Sequence, residues 1–449
     1  MLYRKQNVEI NMLSGPIFTS MVRFAVPVFF SSIFQQLYNT MDTVIVGHTL
    51  GETALAAIGA AAPVYDLLMG FALGIGSGLS IVTARSYGSK DGETLKKSVA
   101  GSLVIGAVLT LILTIVTRFG LLPFLKLLNT PEEILQEAYK YISFITLFMG
   151  VTFAYNLEAG ILRAVGNSVV PLIFLVISSV LNIILDFWFI VGLGMGVEGA
   201  AIATVLAQGV SVLLCIWYIA RSVNMLIPGR EHFKPERRLY TEMLAQGASM
   251  GMMNCLVYAG SAILQTGIND LGYLVIAGHT SARKLYSFAL MPLSAMIASV
   301  NTFVSQNFGA GRMDRIRKAM KAAYLYSAAA TVLIAILVNL FAPYMIRLIS
   351  GSSEPVIIEN GTMYLRVAAP AFFVLAVVND TRTALQAIGS KVLPILSSVI
   401  ELFGKILFVS LLVPKFQYNA VIFCEPVIWC FMAVELTAAF WTNPYIRKS

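Results

Sequence analysis

The chain of 449 residues is 58% hydrophobic and only 12% charged, and its mean hydropathy is +0.80. A soluble domain carries about 25% charged residues, and one soluble core cannot bury this much apolar material. The composition therefore excludes an ordinary soluble protein and indicates a polytopic membrane protein. The net charge of +8 would suggest a nucleic-acid partner in a soluble chain, but the membrane topology accounts for it below, and we expect no nucleic-acid partner.

A membrane-spanning helix needs about 20 mostly apolar residues. The hydropathy pattern predicts twelve of them, at 16–42, 54–85, 97–118, 133–161, 169–191, 197–220, 240–268, 273–306, 318–341, 356–388, 393–413 and 418–441. Of the 31 Lys and Arg residues, six lie in the interior of spans. Four lie on one set of connections or the span ends next to them (Arg118, Lys126, Arg347, Lys415), and the other 21 lie on the opposite set or the span ends next to it. The positive-inside rule then predicts both termini in the cytoplasm, and this bias accounts for the basic net charge.

The chain repeats itself after its first half. The stretch RSYGSKDGETLKKSV at Arg85 matches QNFGAGRMDRIRKAM at Gln306, and LRAVGNSVVP at Leu162 matches LQAIGSKVLP at Leu385. Because each half has six spans, both halves start on the same side, as parallel repeats do. We therefore predict an all-α membrane protein with twelve transmembrane helices in two six-helix lobes, related by a pseudo-two-fold axis along the membrane normal. The predicted limits are 1–220 for the N-lobe, 221–238 for a cytoplasmic linker and 239–449 for the C-lobe.

The fifth predicted span contains a carboxylate. The fifth span reads SVLNIILDFWFIVG, in which Asp186 has its nearest polar companion, Asn182, one helical turn earlier. A carboxylate at mid-membrane costs roughly 3 kcal/mol on insertion scales. Such residues usually face a cavity or a partner, so Asp186 is a candidate functional residue.

The reactive motifs of enzymes are missing from the sequence. It contains no Walker loop, no HExxH and no plausible Ser–His–Asp set. The segment GIGSGLS at Gly74 resembles a phosphate loop only loosely and lies within a span, where small residues favour close helix packing. The four cysteines lie in apolar runs without CxxC spacing, and the three histidines are scattered, so we expect no disulfide framework, metal centre or other cofactor. The two-lobe pattern instead predicts a transporter, not an enzyme, and one driven by an ion gradient because no ATP site is present.

Four stretches carry a resemblance to a known family: YNTMDTVIVGHTLGETALAAIG (Tyr38–Gly59), LRAVGNSVVP (from Leu162), LNIILDFWFIVGLGMGVEGAAIATVLAQ (Leu181–Gln208) and TFVSQNFGAGR (Thr302–Arg312). With them, nearly the whole chain resembles the multidrug and toxic compound extrusion (MATE) family, DinF-like branch. The resemblance implies an antiporter that exports bulky cationic or amphipathic small molecules in exchange for protons or sodium by alternating access. It also implies a multi-pass protein of the cell membrane, with lipid around it, and we expect a monomer.

The resemblance also implies site residues, all of them in the first half. The family's acidic site, which would bind the coupling proton or a sodium ion, falls on Asp42, Asn182 and Asp186. Its supporting polar residues fall on Tyr38, Tyr141 and Thr204, and the proline that lets the first span bend falls on Pro27. The sequence departs from the family in one place: Phe187 follows the span-five aspartate where a proline is often found, which gives no reason to expect a helix break there.

The residues themselves support the same set. Gln35, Tyr38 and Asp42 follow one another at i, i+3 and i+7 and share one helix face. We expect Gln35, Tyr38 and Tyr141 to line the substrate cavity. Asp42 and Asp186 both lie near the outer ends of outward-running spans and so at similar depth. Two carboxylates in a poorly hydrated pocket cannot both stay charged cheaply, so either one takes up a proton or both share a cation. Oxygen ligands from Asp, Asn and Thr also suit sodium, and the coupling ion stays open.

The second half contains acids of its own. Asp380 and Glu425 form a possible second cation site, but Arg283, Arg366 and Arg382 are basic residues that could neutralise them. Glu401 and Lys405, at i and i+4, are best explained as a structural ion pair. The N-lobe ranks first because its carboxylates have fewer basic residues near them in the sequence.

Two other functions compete with drug export. A flippase for lipid-linked sugars or other large amphiphiles shares the architecture, but it would need a basic central cavity to hold phosphates. In the first half the intramembrane basic residues are Lys140 and residues at span edges, which argues against a flippase. A membrane-embedded enzyme would need a nucleophile or metal site, and the sequence shows none.

Overall fold

The computed structural model describes residues 9–127 and 132–447. Arg4, Lys5 and Lys448, which count toward the positive-inside bias, lie outside these residues. Within them all regular secondary structure is helical. The first half contains α1 (Ile17–Leu50), α2 (Glu52–Gly88), α3 (Gly92–Leu127), α4 (Glu132–Leu147), α5 (Met149–Ala164), α6 (Val169–Asp186) and α7 (Val197–Ser222). The second half contains α8 (Arg237–Asn269), α9 (Tyr273–Gly309), α10 (Met313–Ser350), α11 (Pro355–Ala387), α12 (Val392–Leu407), α13 (Val413–Phe416), α14 (Tyr418–Thr442) and α15 (Pro444–Arg447).

The helices confirm the predicted spans, with one correction. Eleven described segments are long and apolar enough to cross a membrane, and α4 with α5 makes the twelfth. The predicted span 133–161 is not one rod, because α4 and α5 meet at an angle of 47° around Phe148. The corresponding α11 of the second half runs unbroken for 33 residues although it contains Pro370. The repeat therefore fixes where the spans lie but not whether each span is straight.

The end of α6 gives a second correction. The missing proline at Phe187 gave no reason to expect a helix break, yet the α-helix ends at Asp186 and the chain continues as a π-helix over Phe187–Gly192. The second half does the same, because α12 is followed by a π-helix over Phe408–Leu412. π-Turns inside helices occur frequently at functional sites. The distortion follows the internal repeat and places Asp186 at the last α-helical turn.

The chain divides into two compact units. Of the described residues, one unit contains 9–11 and Phe30–Gly251, and the other contains Met12–Phe29 and 252–447. The change of unit thus falls inside the first helix of each half, and in α1 it comes three residues after Pro27. The lobes predicted from the repeat, 1–220 and 239–449 with a linker between them, stay a prediction.

Glycines let α2 approach α8 closely within the first unit. A Cβ on Gly74 would lie 2.7 Å from the Met250 carbonyl oxygen, and one on Gly78 would lie 2.6 Å from the Gly247 Cα. Both distances are shorter than any normal contact of a Cβ atom. The structure therefore confirms that GIGSGLS serves helix packing, as small residues do in membrane helices.

The linker packs on the same unit. The His232 side chain is buried at 4% exposure. Its Nδ1 accepts from the Gly229 N–H at 2.8 Å, and its Nε2 lies 3.2 Å from Glu93 Oε2 on α3. Since Nδ1 accepts, the neutral ring has its proton on Nε2 and donates it to the carboxylate. Lys97 adds a contact of 3.4 Å to Glu236, so α3 holds the linker at two points.

Candidate functional site

Asp186 is fully buried at the end of α6 and is positioned by its neighbours. With its side-chain amide assigned in the orientation that satisfies both contacts, Asn182 donates to Asp186 Oδ2 at 3.1 Å. The same amide accepts from the Thr204 backbone N–H of α7 at 3.3 Å. Three of the four residues predicted to couple transport to an ion therefore lie in one hydrogen-bonded group.

Asp42 of α1 joins this group from the other side. It is half-buried, and it interacts electrostatically with Asp186. Tyr38, one turn earlier, is buried with its hydroxyl near Thr204. Tyr141 of α4 lies close enough to Asp42, Tyr38 and Asp186 to interact with all three. Residues predicted from four separate helices therefore converge on one site.

Sequence reasoning missed one member of the site. Tyr65 of α2 is an electrostatic neighbour of both Tyr38 and Tyr141. A tyrosine in an apolar span is common, and nothing around Tyr65 in the sequence marks it. The neighbouring Asp66, an acid within the second predicted span, was a signal that the sequence reasoning did not use.

The carboxylates keep open oxygens. Oδ1 of Asp42 and Oδ1 of Asp186 are buried and have no hydrogen-bond partner among the described residues. Buried polar atoms are generally paired, and an unpaired buried charge is costly. Two open carboxylate oxygens in one poorly hydrated site are an arrangement that can take up a proton or share a cation.

The surroundings of the pair are apolar. Ile45 and Val46 of α1, Val197 and Ala200 of α7 and Ile190 of the π-helix form a buried cluster, against which Tyr141 packs. An apolar wall keeps water away and so strengthens every electrostatic interaction within the site. Gln35 lies exposed on the same helix as Asp42, and Pro27 lies inside an unbroken α1. Their predicted roles, in the substrate cavity and as a hinge, stay predictions.

The acids of the second half have quite different surroundings. Glu425 Oε2 lies 3.0 Å from Arg283 Nη1 and 3.2 Å from the Tyr364 hydroxyl. Glu425 Oε1 lies 3.3 Å from Lys405 Nζ, and the same Nζ lies 2.9 Å from Glu401. The predicted pair of Glu401 and Lys405 is confirmed, and it extends into a chain of alternating charges.

Asp380 lies outside that chain. It is fully buried on α11, with Oδ2 accepting from Ser327 at 3.3 Å. Glu425 interacts with Arg283, Lys405 and His279, whereas Asp380 contacts Ser327. The two acids proposed for a second cation site are therefore not grouped as Asp42 and Asp186 are. Whether either binds a cation stays a prediction.

The three arginines differ in what they contact. Arg283 neutralises Glu425, while Arg382 lies 3.9 Å from Glu401 and donates to Ser397 at 3.0 Å. Arg366 was expected to neutralise an acid too, but its contact is with the Asn339 carbonyl oxygen at 3.4 Å. The expectation is wrong for Arg366, which is exposed on α11, and also for Arg382, because neither arginine pairs with Asp380 or Glu425 among the described residues.

A family model and two curated relatives match most of this chain. The model of the MatE family matches residues 27–188 and 250–410, one segment in each half. The Bacillus subtilis protein named "Probable multidrug resistance protein YoeA" is 25% identical over 395 residues, covering 86% of this chain and 85% of that protein. The multidrug export protein MepA of Staphylococcus aureus is 24% identical over 429 residues, covering 95% and 92%.

The fold has a counterpart among solved structures. An outward-facing structure of a multidrug resistance MATE family transporter of the MOP superfamily superimposes with a TM-score of 0.89. The two sequences are 23% identical, and the superposition covers 100% of both chains. At this level of identity the likeness concerns the fold alone, and it extends over the whole chain.

Proposed function

The chain belongs to the MatE family of membrane transporters, and we propose that it is an antiporter that exports amphipathic, cationic compounds in exchange for protons or sodium ions by alternating access. Family membership makes it a multi-pass membrane transporter and not an enzyme. Relatives named as multidrug resistance and multidrug export proteins support drug-like small molecules as its substrates.

One observation carries the proposal of antiport: the acidic pair of Asp42 and Asp186 with its two open oxygens. A cationic substrate and a coupling ion would both lower the energy of the same buried negative charge. Binding of one therefore weakens binding of the other, and this negative coupling is reciprocal. Mutual exclusion at one site is the physical requirement for exchange.

The aromatic residues around the pair favour cations. Tyr38 and Tyr141 lie near the carboxylates, and Tyr65 lies beside these two tyrosines. An aromatic ring attracts a cation through its negative face. Among the described residues no three His, Cys, Asp or Glu side chains lie together as metal ligands. A sodium ion here would therefore bind to the two carboxylates together with amide, hydroxyl or backbone oxygens, whereas a proton would need only one carboxylate oxygen.

The test is transport by the purified protein in proteoliposomes. A fluorescent cationic dye would be loaded, and a pH gradient and a sodium gradient would be imposed separately. We expect one of the two gradients to drive dye movement against its own concentration gradient, and collapse of that gradient by an ionophore to stop it. If the rate and direction of dye transport depend on neither gradient, the antiport proposal is wrong.

A further inference from the structure

Arg283 of α9 is partly exposed inside an otherwise buried cluster. Its side chain is 36% exposed, while those of Glu425 and Lys405 are 8% and 1% exposed. Its Nη1 donates to the Tyr364 hydroxyl and to Glu425 Oε2, both at 3.0 Å. Its guanidinium carbon lies 4.4 Å from the ring centroid of Tyr286. Three contacts thus fix the plane and the orientation of the group.

These contacts use one side of the guanidinium only. Nη1 supplies both hydrogen bonds, whereas Nε and Nη2 donate to none of the described residues. A guanidinium has five N–H donors in a planar fork. The remaining edge, formed by Nε and Nη2, is one that can bind both oxygens of a carboxylate or phosphate at once. The side chain is 36% exposed, and neither Nε nor Nη2 is among the fully buried nitrogen atoms that lack a partner in the described residues.

The positive charge of Arg283 is only partly balanced by its neighbours. Glu425 is shared between Arg283 and Lys405, so two cations compete for one carboxylate. Within the same cluster of charges, Lys405 also contacts Glu401, and Glu401 lies 3.9 Å from Arg382. The remaining acid, Glu435, interacts with Arg382 at the far end of the cluster. Arg283 therefore has only a share of one carboxylate, and the third acid of the cluster lies beside Arg382 and not beside Arg283.

We infer that the open edge of Arg283 is a subsite for the carboxylate or phosphate of an amphiphilic substrate. The inference rests on the proposed function, since the anionic group belongs to an exported amphiphile, and it extends the substrate class from cations to amphiphiles that also carry an acid. Lys405 keeps Glu425 paired, so the guanidinium can engage an anion without leaving that carboxylate alone. Tyr286 and Tyr364 hold the fork in place, which lowers the entropy that binding must offset.

A matched pair of dyes tests this subsite by binding alone. Rhodamine B carries a free carboxylate, and its ethyl ester is the same cation without the acid. Affinities for both would be measured by fluorescence anisotropy with the purified protein in phosphatidylcholine nanodiscs. Two strong charge-assisted hydrogen bonds predict that Arg283→Gln weakens binding of the free acid about tenfold or more. Binding of the ester should change by less than about twofold.

Two further variants separate recognition from folding. Arg283→Lys keeps the charge but loses the planar fork, so it should restore part of the affinity for the free acid. Arg366→Gln removes an exposed arginine from the same unit and should leave both affinities unchanged. Equal weakening of both dyes by Arg283→Gln, no weakening of the acid, or failure of the wild type to bind the acid would overturn the inference.

The anion could also come from a lipid headgroup, and a change of lipid distinguishes the sources. Replacing part of the phosphatidylcholine by phosphatidylglycerol should not displace rhodamine B from the wild type. Displacement from the wild type but not from Arg283→Gln would assign the edge to lipid phosphate and overturn the assignment to substrate. Because these are binding measurements without a gradient, their failure is distinguishable from failure of the antiport proposal, which is read from gradient-driven transport of the ester.

Discussion

Two groups of buried acids, one in each half of the chain, have opposite surroundings. Asp42 and Asp186 lie near each other and each keeps an oxygen without a partner. Glu425 and Glu401 are bound by basic side chains at 2.9 to 3.3 Å. A carboxylate with open oxygens can exchange a proton or cation, whereas one held by two cations is stabilised in its charged form. Coupling is therefore expected at Asp42 and Asp186, and structural stabilisation at Glu401 and Glu425. Asp380 also keeps a buried Oδ1 without a partner among the described residues, so its role as a cation site stays a prediction.

The coupling role can be tested by neutral substitutions. We expect Asp42→Asn and Asp186→Asn each to abolish gradient-driven efflux, because asparagine keeps the size of the side chain but cannot exchange a proton or supply negative charge. Folding should be preserved or improved, since a neutral side chain is cheaper to bury in a membrane. Efflux from proteoliposomes and the thermal midpoint would be measured together. Asp66→Asn, which neutralises another acid of the same half, should transport normally.

The opposite outcome is expected for the charge cluster. Lys405→Met should lower the thermal midpoint strongly, because it removes the cation shared by Glu401 and Glu425 and leaves buried charge uncompensated; breaking such a pair costs about 3 kcal/mol or more. Glu401→Gln should cost less than Lys405→Met, since Lys405 still contacts Glu425. The double substitution Lys405→Met with Glu401→Leu should recover part of the loss. If all three variants have the thermal midpoint of the wild type, the cluster does not stabilise the fold.

At the level of helices, the sequence predicted where the membrane spans lie better than it predicted their bends and distortions. Hydropathy and the internal repeat located the twelve spans, and α2 and α9 have the same length of 37 residues in the two halves. The bend at Phe148 and the π-helices after Asp186 and Leu407 were not predicted, because neither feature has a residue type that marks it. The prolines gave no guide, since helices such as α11 continue through them, as membrane helices can.

The site itself was predictable to a similar extent. An acid in an apolar span is costly and therefore conspicuous, which is why Asp186 could be found from sequence alone. Asn182 could be placed beside it because residues four apart share a helix face. Tyr65 could not be found, since only the packing of α2 against its neighbours brings its hydroxyl near Tyr38 and Tyr141. The pairing of Glu425 with Arg283 depends in the same way on how separate helices pack.

Close packing of α2 against α8 gives a prediction about a glycine. Gly78→Ala should destabilise the protein by about 1 to 3 kcal/mol, because the new Cβ would lie 2.6 Å from the Gly247 Cα and would force the helices apart. Gly120→Ala in α3 is the matched control, since a Cβ there meets no atom within 4 Å. Thermal midpoints of the two variants would be compared with the wild type. Similar midpoints for both would show that α2 and α8 can shift apart without loss of stability.

The first helix gives a prediction about motion. Pro27 lies inside α1, three residues before the chain passes from one compact unit to the other. A proline within a helix removes one backbone hydrogen bond and permits bending. We expect Pro27→Ala to slow transport while the thermal midpoint stays the same or rises, because alanine restores that bond and stiffens the helix. Turnover at the wild-type rate would mean that the proline only fixes a static kink.

On the scale of the whole molecule, the distribution of basic residues and the packing of the linker bear on orientation. The set of connections that includes the linker has 21 Lys and Arg residues, and the opposite set has four. This bias predicts that the linker lies in the cytoplasm. Cysteine labelling can test this, but not at every linker position. His232 is buried against α3, so a cysteine there would fail to react from either side. Lys234, two residues later, is exposed and is the better choice.

We therefore expect Lys234→Cys, in a chain whose four native cysteines are replaced, to resist a membrane-impermeant maleimide in intact cells and to react once the membrane is opened. Asp270→Cys is the control for the other face, because Asp270 is exposed between α8 and α9 on the side predicted to face outward. It should react in intact cells. If Lys234→Cys reacts in intact cells and Asp270→Cys does not, the orientation is reversed, and the outer ends assigned to Asp42 and Asp186 would then face the cytoplasm. In that case the coupling ion would reach the acidic pair from the cytoplasm and not from outside, so the labelling result decides which gradient direction the transport experiments must impose.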